Sequence, residues 1–210
     1  EGIIGHGSEL FKIPDVSKLP DIIPPIAEAN EPNYKPYRRD KETLVRKWAL
    51  PGTEGLRHRI GGLEKENIFG NVTTDPKNHE EMVRLRQEKV NLVAKRLPEQ
   101  SVMGEKEGDL LVVTWGSTYG VTQSVVKMLQ EEGARISHAH FSYIMPLPLN
   151  TKEIFKGFKK IIVCELNSGQ FAGYLRMMCP EYKYLQYNKV QCLPFTMKEL
   201  KEVFIKIMEE

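Results

Sequence analysis

The sequence predicts a three-layer α/β/α domain with a mostly parallel sheet, preceded by an extended proline-rich arm and a helix. From Gly108 onward, apolar runs such as "DLLVVTW" and "KKIIVCEL" alternate with amphipathic helical stretches. Strands that are apolar throughout are buried on both faces, which is the habit of a parallel sheet covered by helices on each side. Before residue 108 that alternation is missing, and six of the thirteen prolines crowd into "KIPDVSKLPDIIPPIAEANEPNYKPY". Proline fixes φ, removes a donor and biases the preceding residue toward extended backbone.

Residues 1–45 therefore read as an arm lying along other protein surface. Its apolar residues (Leu10, Phe11, Ile13, Val16, Leu19, Ile22, Ile23 and Ile26) are too many for a solvated linker. Residues 46–107 read as a glycine-rich hairpin or loop followed by a helix. "LRHRI" and "GNVTT" are short β-like pieces among glycines. Asp75 and Pro76 then supply an N-cap and a first helical residue. The apolar stripe Val83, Val90 and Leu97, widened by Met82, Val93 and Ala94, predicts a helix from Pro76 to Leu97.

Residues 108–210 supply the α/β domain. "DLLVVTW" is a strand, "VTQSVVKMLQEE" a helix stopped by Gly133, and "ARISHAHFSYI" a strand ended by "MPLPL". "TKEIFKGF" is a short helix capped by Thr151, "KKIIVCEL" a strand, and "GQFAGYLRMM" a helix ended before Pro180. "KYLQY" is a fourth strand and "TMKELKEVFIKIMEE" the last helix.

Composition narrows the function classes. Lys plus Arg is 30 against 28 for Asp plus Glu, a net charge of +2 with no basic block, so nucleic acid is not an expected partner. The apolar runs fall far short of the ~20 residues of a membrane helix. Residues 1–25 lack the features of a signal peptide, and with Glu1 rather than Met in first place the chain reads as a fragment. Three widely spaced cysteines, Cys164, Cys179 and Cys192, contain no C-x-x-C. Neither a disulfide framework nor a metal or cluster site is signalled, and a reduced, cytoplasmic setting is expected.

Four stretches are candidate sites. Gly116, Ser117, Thr118 and Gly120 form a strand-to-helix turn, the usual entrance to a nucleotide fold. Its spacing fails the dinucleotide fingerprint, no ribose-binding acid follows about 20 residues on, and no P-loop lysine is present. The turn then reads as a tight connection whose helix-start N–H groups take an anion, a neighbouring carboxylate or an internal cap from Ser117 or Thr118. His138 and His140, at i and i+2 on a strand, share a face. Without a marked third ligand they read as packing. Glu165 and Asn167 follow a strand's carboxyl end, and Gly169 and Gln170 open a helix. They admit two readings, internal capping and a polar rim against a partner. "RHRIGGLEK" gathers His58 and Arg59 with Arg57, Glu64 and Lys65 around Gly61 and Gly62, as a solvated loop or an interface loop.

Taken together, "PGTEGLRHRIGGLEKENIFGNVTTDP", "LLVVTWGSTYG", "HAHFSYIMPLP", "ELNSGQFAGYLR" and "NKVQCLPF" resemble the C-terminal part of the α subunit of 2-oxoacid:ferredoxin oxidoreductases, the 2-oxoglutarate branch above all. The resemblance implies a transketolase C-terminal-like domain with a five-stranded mixed sheet. The pattern supplies four parallel strands, so a fifth, antiparallel one is expected upstream, near "LRHRI". It also implies an enzyme that makes acyl-CoA, CO2 and reduced ferredoxin on thiamine diphosphate. Magnesium, a [4Fe-4S] cluster and coenzyme A are implied for the complete enzyme. The diphosphate, its magnesium and the cluster are expected on a β subunit, leaving this chain as a non-catalytic assembly part with no cofactor of its own. The expected partners are that β subunit, upstream domains of the same α subunit and, through the complex, ferredoxin. Two rival readings stand beside it: a stand-alone nucleotide- or anion-binding module, and a protein-binding adaptor.

Overall fold

The computed structural model describes residues 14–210. These fall into two compact units, one of residues 94–210 and one of residues 14–93. Leu10, Phe11 and Ile13 of the expected arm lie outside the described residues.

The unit of residues 94–210 is the expected α/β fold. Its strands are β1 (Gly108–Trp115), β2 (Ile136–Phe141), β3 (Phe158–Glu165) and β4 (Tyr184–Asn188). All pair in parallel, in the order β2-β1-β3-β4. Because successive side chains on a strand point to opposite faces, the sheet has two apolar surfaces. Leu110 and Val112 of β1 join Ile136 and Ile162 on one face. There they meet Val125, Val126 and Leu129 of one helix (Tyr119–Glu131) and Leu200 and Phe204 of another (Met197–Glu209). Leu111 and Val113 face the other way, with Ala139, Phe141 and Val163. That face is covered by Phe155 of the short helix Thr151–Lys156 and by Phe171, Ala172 and Leu175 of the helix Gln170–Met178. From β1 the chain first winds to β2, then returns past β1 to β3 and β4. With right-handed crossovers, that reversal puts the connecting helices on opposite faces.

Local signals set the helix ends. Gly133 adopts φ 91° after Glu131, a conformation that glycine tolerates at a helix C-terminus. Thr196 caps the final helix by accepting from the Glu199 N–H at 3.3 Å. The expected cap at Thr151 is displaced by one residue. Asn150 is the N-cap and makes no side-chain capping bond, while the Thr151 hydroxyl donates to the Pro148 carbonyl at 2.6 Å.

The fifth strand expected near "LRHRI" is not there. Residues 56–60 have no strand and belong to the other unit. The antiparallel partner is a single bridge on the outer side of β2. Met103 N–H donates to the His138 carbonyl at 2.8 Å, and the His138 N–H donates back at 3.0 Å. Gly104, at φ 101°, then turns the chain away before a strand can form.

The unit of residues 14–93 carries little regular structure. Isolated bridges join Ile26 to Trp48, Tyr37 to Ile68, Arg39 to Arg46 and Lys65 to Val72. The last lies in a hairpin of residues 64–73, closed by Glu66 N–H to Asn71 O at 2.7 Å and Thr73 N–H to Glu64 O at 3.2 Å. The hairpin thus pairs "LEK" with "VT" rather than "LRHRI" with "GNVTT". Among the described residues the first α-helix runs over Pro76–Leu92, with the Asp75 carboxylate accepting from the Lys77 N–H at 3.1 Å. A 3-10 turn at Val93–Arg96 replaces the last turn of the helix expected to reach Leu97. Its apolar stripe is split: Met82 and Ala94 are buried, whereas Val83, Val90 and Val93 are exposed. Among the arm residues, Ala27 is buried, but Val16, Leu19, Ile22 and Ile23 lie open to solvent.

Candidate functional site

The carboxyl edge of the sheet brings the two expected turns side by side. β1 and β3 are neighbours in parallel register, Val113 opposite Val163, so the turn after Trp115 and the turn after Glu165 emerge at the same edge. They flank the point where the winding reverses, the crevice in which open α/β sheets hold their ligands.

Here the crevice is filled from within. Glu165 is only 1% exposed. Its Oε2 accepts the Phe171 N–H at 2.9 Å and the Trp115 indole N–H at 3.2 Å, and its Oε1 accepts the Ala172 N–H at 2.9 Å. Asn167 Oδ1 accepts from the Gly169 N–H at 2.7 Å and the Gln170 N–H at 3.1 Å. The helix ladder takes over at the Gly173 N–H, which donates to Gly169 O at 2.9 Å. Every N–H from Gly169 to Gly173 therefore has a partner, a complete account for a helix start. A carboxylate occupies the position in which a bound phosphate would sit in a nucleotide fold, aided by the positive end of the helix. Gly169 is needed for this geometry: it sits at φ 94°, and a Cβ there would collide with the Gln186 side-chain amide.

The other turn is built differently. Gly116 takes φ 63° and leads into a 3-10 turn, Gly116–Thr118. Neither Ser117 nor Thr118 caps the helix that follows. Ser117 is exposed, and the buried Thr118 hydroxyl donates backward to the Trp115 carbonyl at 2.9 Å. Gly120 has open space where a Cβ would stand.

His138 and His140 do project from β2 to one face, that of Leu110 and Val112, and Thr114 of β1 joins them. The Thr114 hydroxyl lies 2.7 Å from His138 Nε2 and 2.8 Å from His140 Nδ1. A hydroxyl has one proton, so at least one imidazole must donate to it, and the threonine couples the tautomers of the pair. The Tyr119 ring stacks on that of His138, centroids 6.0 Å apart, and meets that of His140 at a tilt, centroids 4.9 Å apart. Burial, reinforced by the neighbouring His140, pushes the His138 pKa down to about 3, and burial also lowers that of His140. Both rings are thus neutral at pH 7. Among the described residues no group of three or more His, Cys, Asp or Glu side chains is placed to hold a metal ion.

In the other unit, "RHRIGGLEK" is an exposed loop on a buried anchor. Arg57, Arg59, Gly61 and Gly62 are exposed, and His58 is half-buried with its Nδ1 donating to the Leu56 carbonyl at 2.8 Å. Lys65 is only 3% exposed, and its Nζ donates to the carbonyls of Gly61 at 3.0 Å and Leu63 at 2.6 Å. Thr114, Trp115 and Tyr119 are the residues that sequence reasoning passed over as site components, and Lys65 reads in sequence only as one of the loop's charges. Only the strand register and the loop path reveal their roles.

No protein-family model matches the chain. Similarity to individual proteins is clear. A 2-oxoglutarate oxidoreductase subunit KorA from Mycobacterium tuberculosis is 43% identical over 178 residues, covering 84% of this chain and 27% of the relative. A 2-oxoglutarate synthase subunit KorA from Archaeoglobus fulgidus is 29% identical over 148 residues, 70% of this chain and 41% of that protein. Among solved structures, a 2-oxoglutarate:ferredoxin oxidoreductase from Magnetococcus marinus, with 2-oxoglutarate, coenzyme A and succinyl-CoA bound, matches with a TM-score of 0.76 and 30% identity. That match covers 84% of this chain and 31% of the other. The chain spans well under half the length of these relatives, and it belongs to the family of 2-oxoacid:ferredoxin oxidoreductase α subunits, of whose length it matches a part.

Proposed function

We propose that this chain is a non-catalytic assembly part of the α subunit of a thiamine-diphosphate-dependent 2-oxoglutarate:ferredoxin oxidoreductase. The complete enzyme would decarboxylate the 2-oxoacid, transfer the acyl group to coenzyme A and pass the electrons to ferredoxin. The observation that carries the reading is the agreement in fold and sequence over 84% of the chain with the Magnetococcus enzyme.

Among the described residues the donor sets do not fit the metal, the diphosphate or the cluster. Glu165 already fills the anion position at the carboxyl edge, and a diphosphate there would meet a carboxylate. Of the three free cysteines, Cys164 and Cys179 are buried and Cys192 is exposed, which is no ligand set for an iron–sulfur cluster. The reading assigns those groups to a β subunit. Gly116, Ser117, Gly120, Asn167 and Gln170 then form a polar rim against neighbouring parts of the assembly. The arm of residues 1–45 docks on those parts through Val16, Leu19, Ile22 and Ile23, and the exposed Val83 and Val90 do the same. The cytoplasm is the compartment this reading assigns, and free thiols are in keeping with it.

The test is reconstitution. The α subunit assembled with its β subunit should reduce ferredoxin or a viologen dye in the presence of both 2-oxoglutarate and coenzyme A, while this chain alone should not. Turnover by the isolated chain, or an assembled enzyme inactive on 2-oxoglutarate, would overturn the reading.

A further inference from the structure

The loop of residues 57–65 has an arrangement that neither core packing nor solvation accounts for. A buried lysine normally meets a carboxylate. Here the Lys65 Nζ meets only the carbonyls of Gly61 and Leu63. The loop's one acid is engaged elsewhere, since Glu64 binds His79 at 2.8 Å and Arg86 at 3.6 Å. Arg57 and Arg59 have no ion pair among the described residues, and Ile60 and Leu63 are 82% and 61% exposed.

The lysine also sets the direction of the backbone. In a trans peptide the carbonyl and the N–H of one unit point opposite ways. With the Gly61 and Leu63 carbonyls drawn inward to the ammonium, the N–H groups of Gly62 and Glu64 face away from it. Neither donates a hydrogen bond among the described residues. Gly61 sits at φ 150°, and a Cβ on Gly61 or Gly62 would meet nothing within 4 Å. The backbone there is open to close approach, as at sites where successive N–H groups cradle an anion.

We propose that this loop is an anion-recognition site. Arg57, Arg59 and the N–H groups of Gly62 and Glu64 take a carboxylate or phosphate group of a small-molecule substrate, and Lys65 is the positioning residue that holds the N–H groups outward. Covering Ile60 and Leu63 in the assembled enzyme removes water from the loop, where an unpaired guanidinium is costly and an oxyanion with several acceptor oxygens is the natural counterpart. The inference rests on the oxidoreductase reading, in which two substrates carry such groups: the 2-oxoacid with its carboxylates and coenzyme A with its phosphates.

The experiment uses the assembled enzyme with Arg57→Gln and Arg59→Gln made singly. Both side chains are exposed, so the variants should melt with the wild type. KM is measured separately for 2-oxoglutarate, coenzyme A and the electron-accepting protein, with direct calorimetric titration of the two small molecules. At least one substitution should raise the KM and weaken the binding of one small molecule by about tenfold or more, the scale of a charge-assisted hydrogen bond, with kcat nearly unchanged. Whether it is 2-oxoglutarate or coenzyme A says which anion the loop reads. Unchanged KM for both, or an effect confined to the electron-accepting protein, would overturn the proposal. Failure of the wild-type enzyme to turn over would instead count against the oxidoreductase reading.

Discussion

Replacing Glu165 by glutamine tests whether the carboxyl edge is an internally satisfied structure. The carboxylate accepts three hydrogen bonds, from Phe171 N–H, Ala172 N–H and the Trp115 indole. Glutamine keeps one acceptor oxygen. Placed at the Oε2 position, it can still serve Phe171 and Trp115, but its amide NH2 then faces the Ala172 N–H, donor against donor. One buried N–H is left unpaired, at about 1–3 kcal/mol, and the two remaining bonds fall from charge-assisted to neutral strength. Removing a buried charge returns part of that loss. The net destabilisation is about 2 kcal/mol. Glu165→Leu, which strands all three donors, should cost about 4 kcal/mol. Urea unfolding at pH 7 reads this directly. Of the two tryptophans, Trp48 lies in the other unit, so in a Trp48→Phe background fluorescence reports on Trp115, which touches the substituted group. A Glu165→Gln variant as stable as its parent, with an unshifted Trp115 emission, would refute the account of Glu165 as a built-in anion.

Other consequences are equally measurable. Gly120→Ala and Gly173→Ala, each at an open helical position, should raise the unfolding free energy read from urea titration, each by about 0.5–1 kcal/mol. Gly169→Ala, at φ 94° against Gln186, should lower it by more than about 1 kcal/mol, and a reversed order would contradict the turn geometry. Because the folded pKa of His138 is depressed to about 3, the unfolded chain takes up a proton first. That residue's contribution is fully present above pH ~6.5 and declines as the pH falls from there toward 3, with a slope approaching about 1.4 kcal/mol per pH unit. His138→Gln should flatten that slope in urea midpoints measured from pH 7 to 5. Val83→Ser and Val90→Ser, on the exposed stripe, should leave the isolated chain within about 0.5 kcal/mol of wild type while weakening, in gel filtration, the subunit assembly proposed above.

Much of the fold was written locally. The apolar run from Leu110 to Val113 can only be a strand buried on both faces, and that requirement already calls for helices above and below the sheet. Asp75 before Pro76, and Gly133 after a helical stripe, act through neighbours a few residues away, so they are legible without tertiary context. Glu165 and Asn167 could be placed at a carboxyl edge because parallel strands send all their strand-to-helix turns to one side. Other features depend on distances that sequence does not contain. Thr114 becomes the partner of His138 and His140 only through the register that sets Val112 beside His138. The antiparallel bridge falls at Met103 rather than near "LRHRI" because the outer edge of β2 is reached by the chain just upstream of β1. The stripe of Val83 and Val90 has a helical period but no local surface to meet, since burial depends on which other element approaches. Lys65 reads in sequence as one more charge in a charged loop, and only the path of the backbone turns its ammonium beneath two carbonyls. The sequence by itself determined the elements, their ends and the layered architecture, because hydrophobic periodicity and capping act over a few residues. The tertiary structure alone decided which polar groups share a hydrogen bond and which apolar faces stay open, because those depend on contacts between segments far apart in the chain.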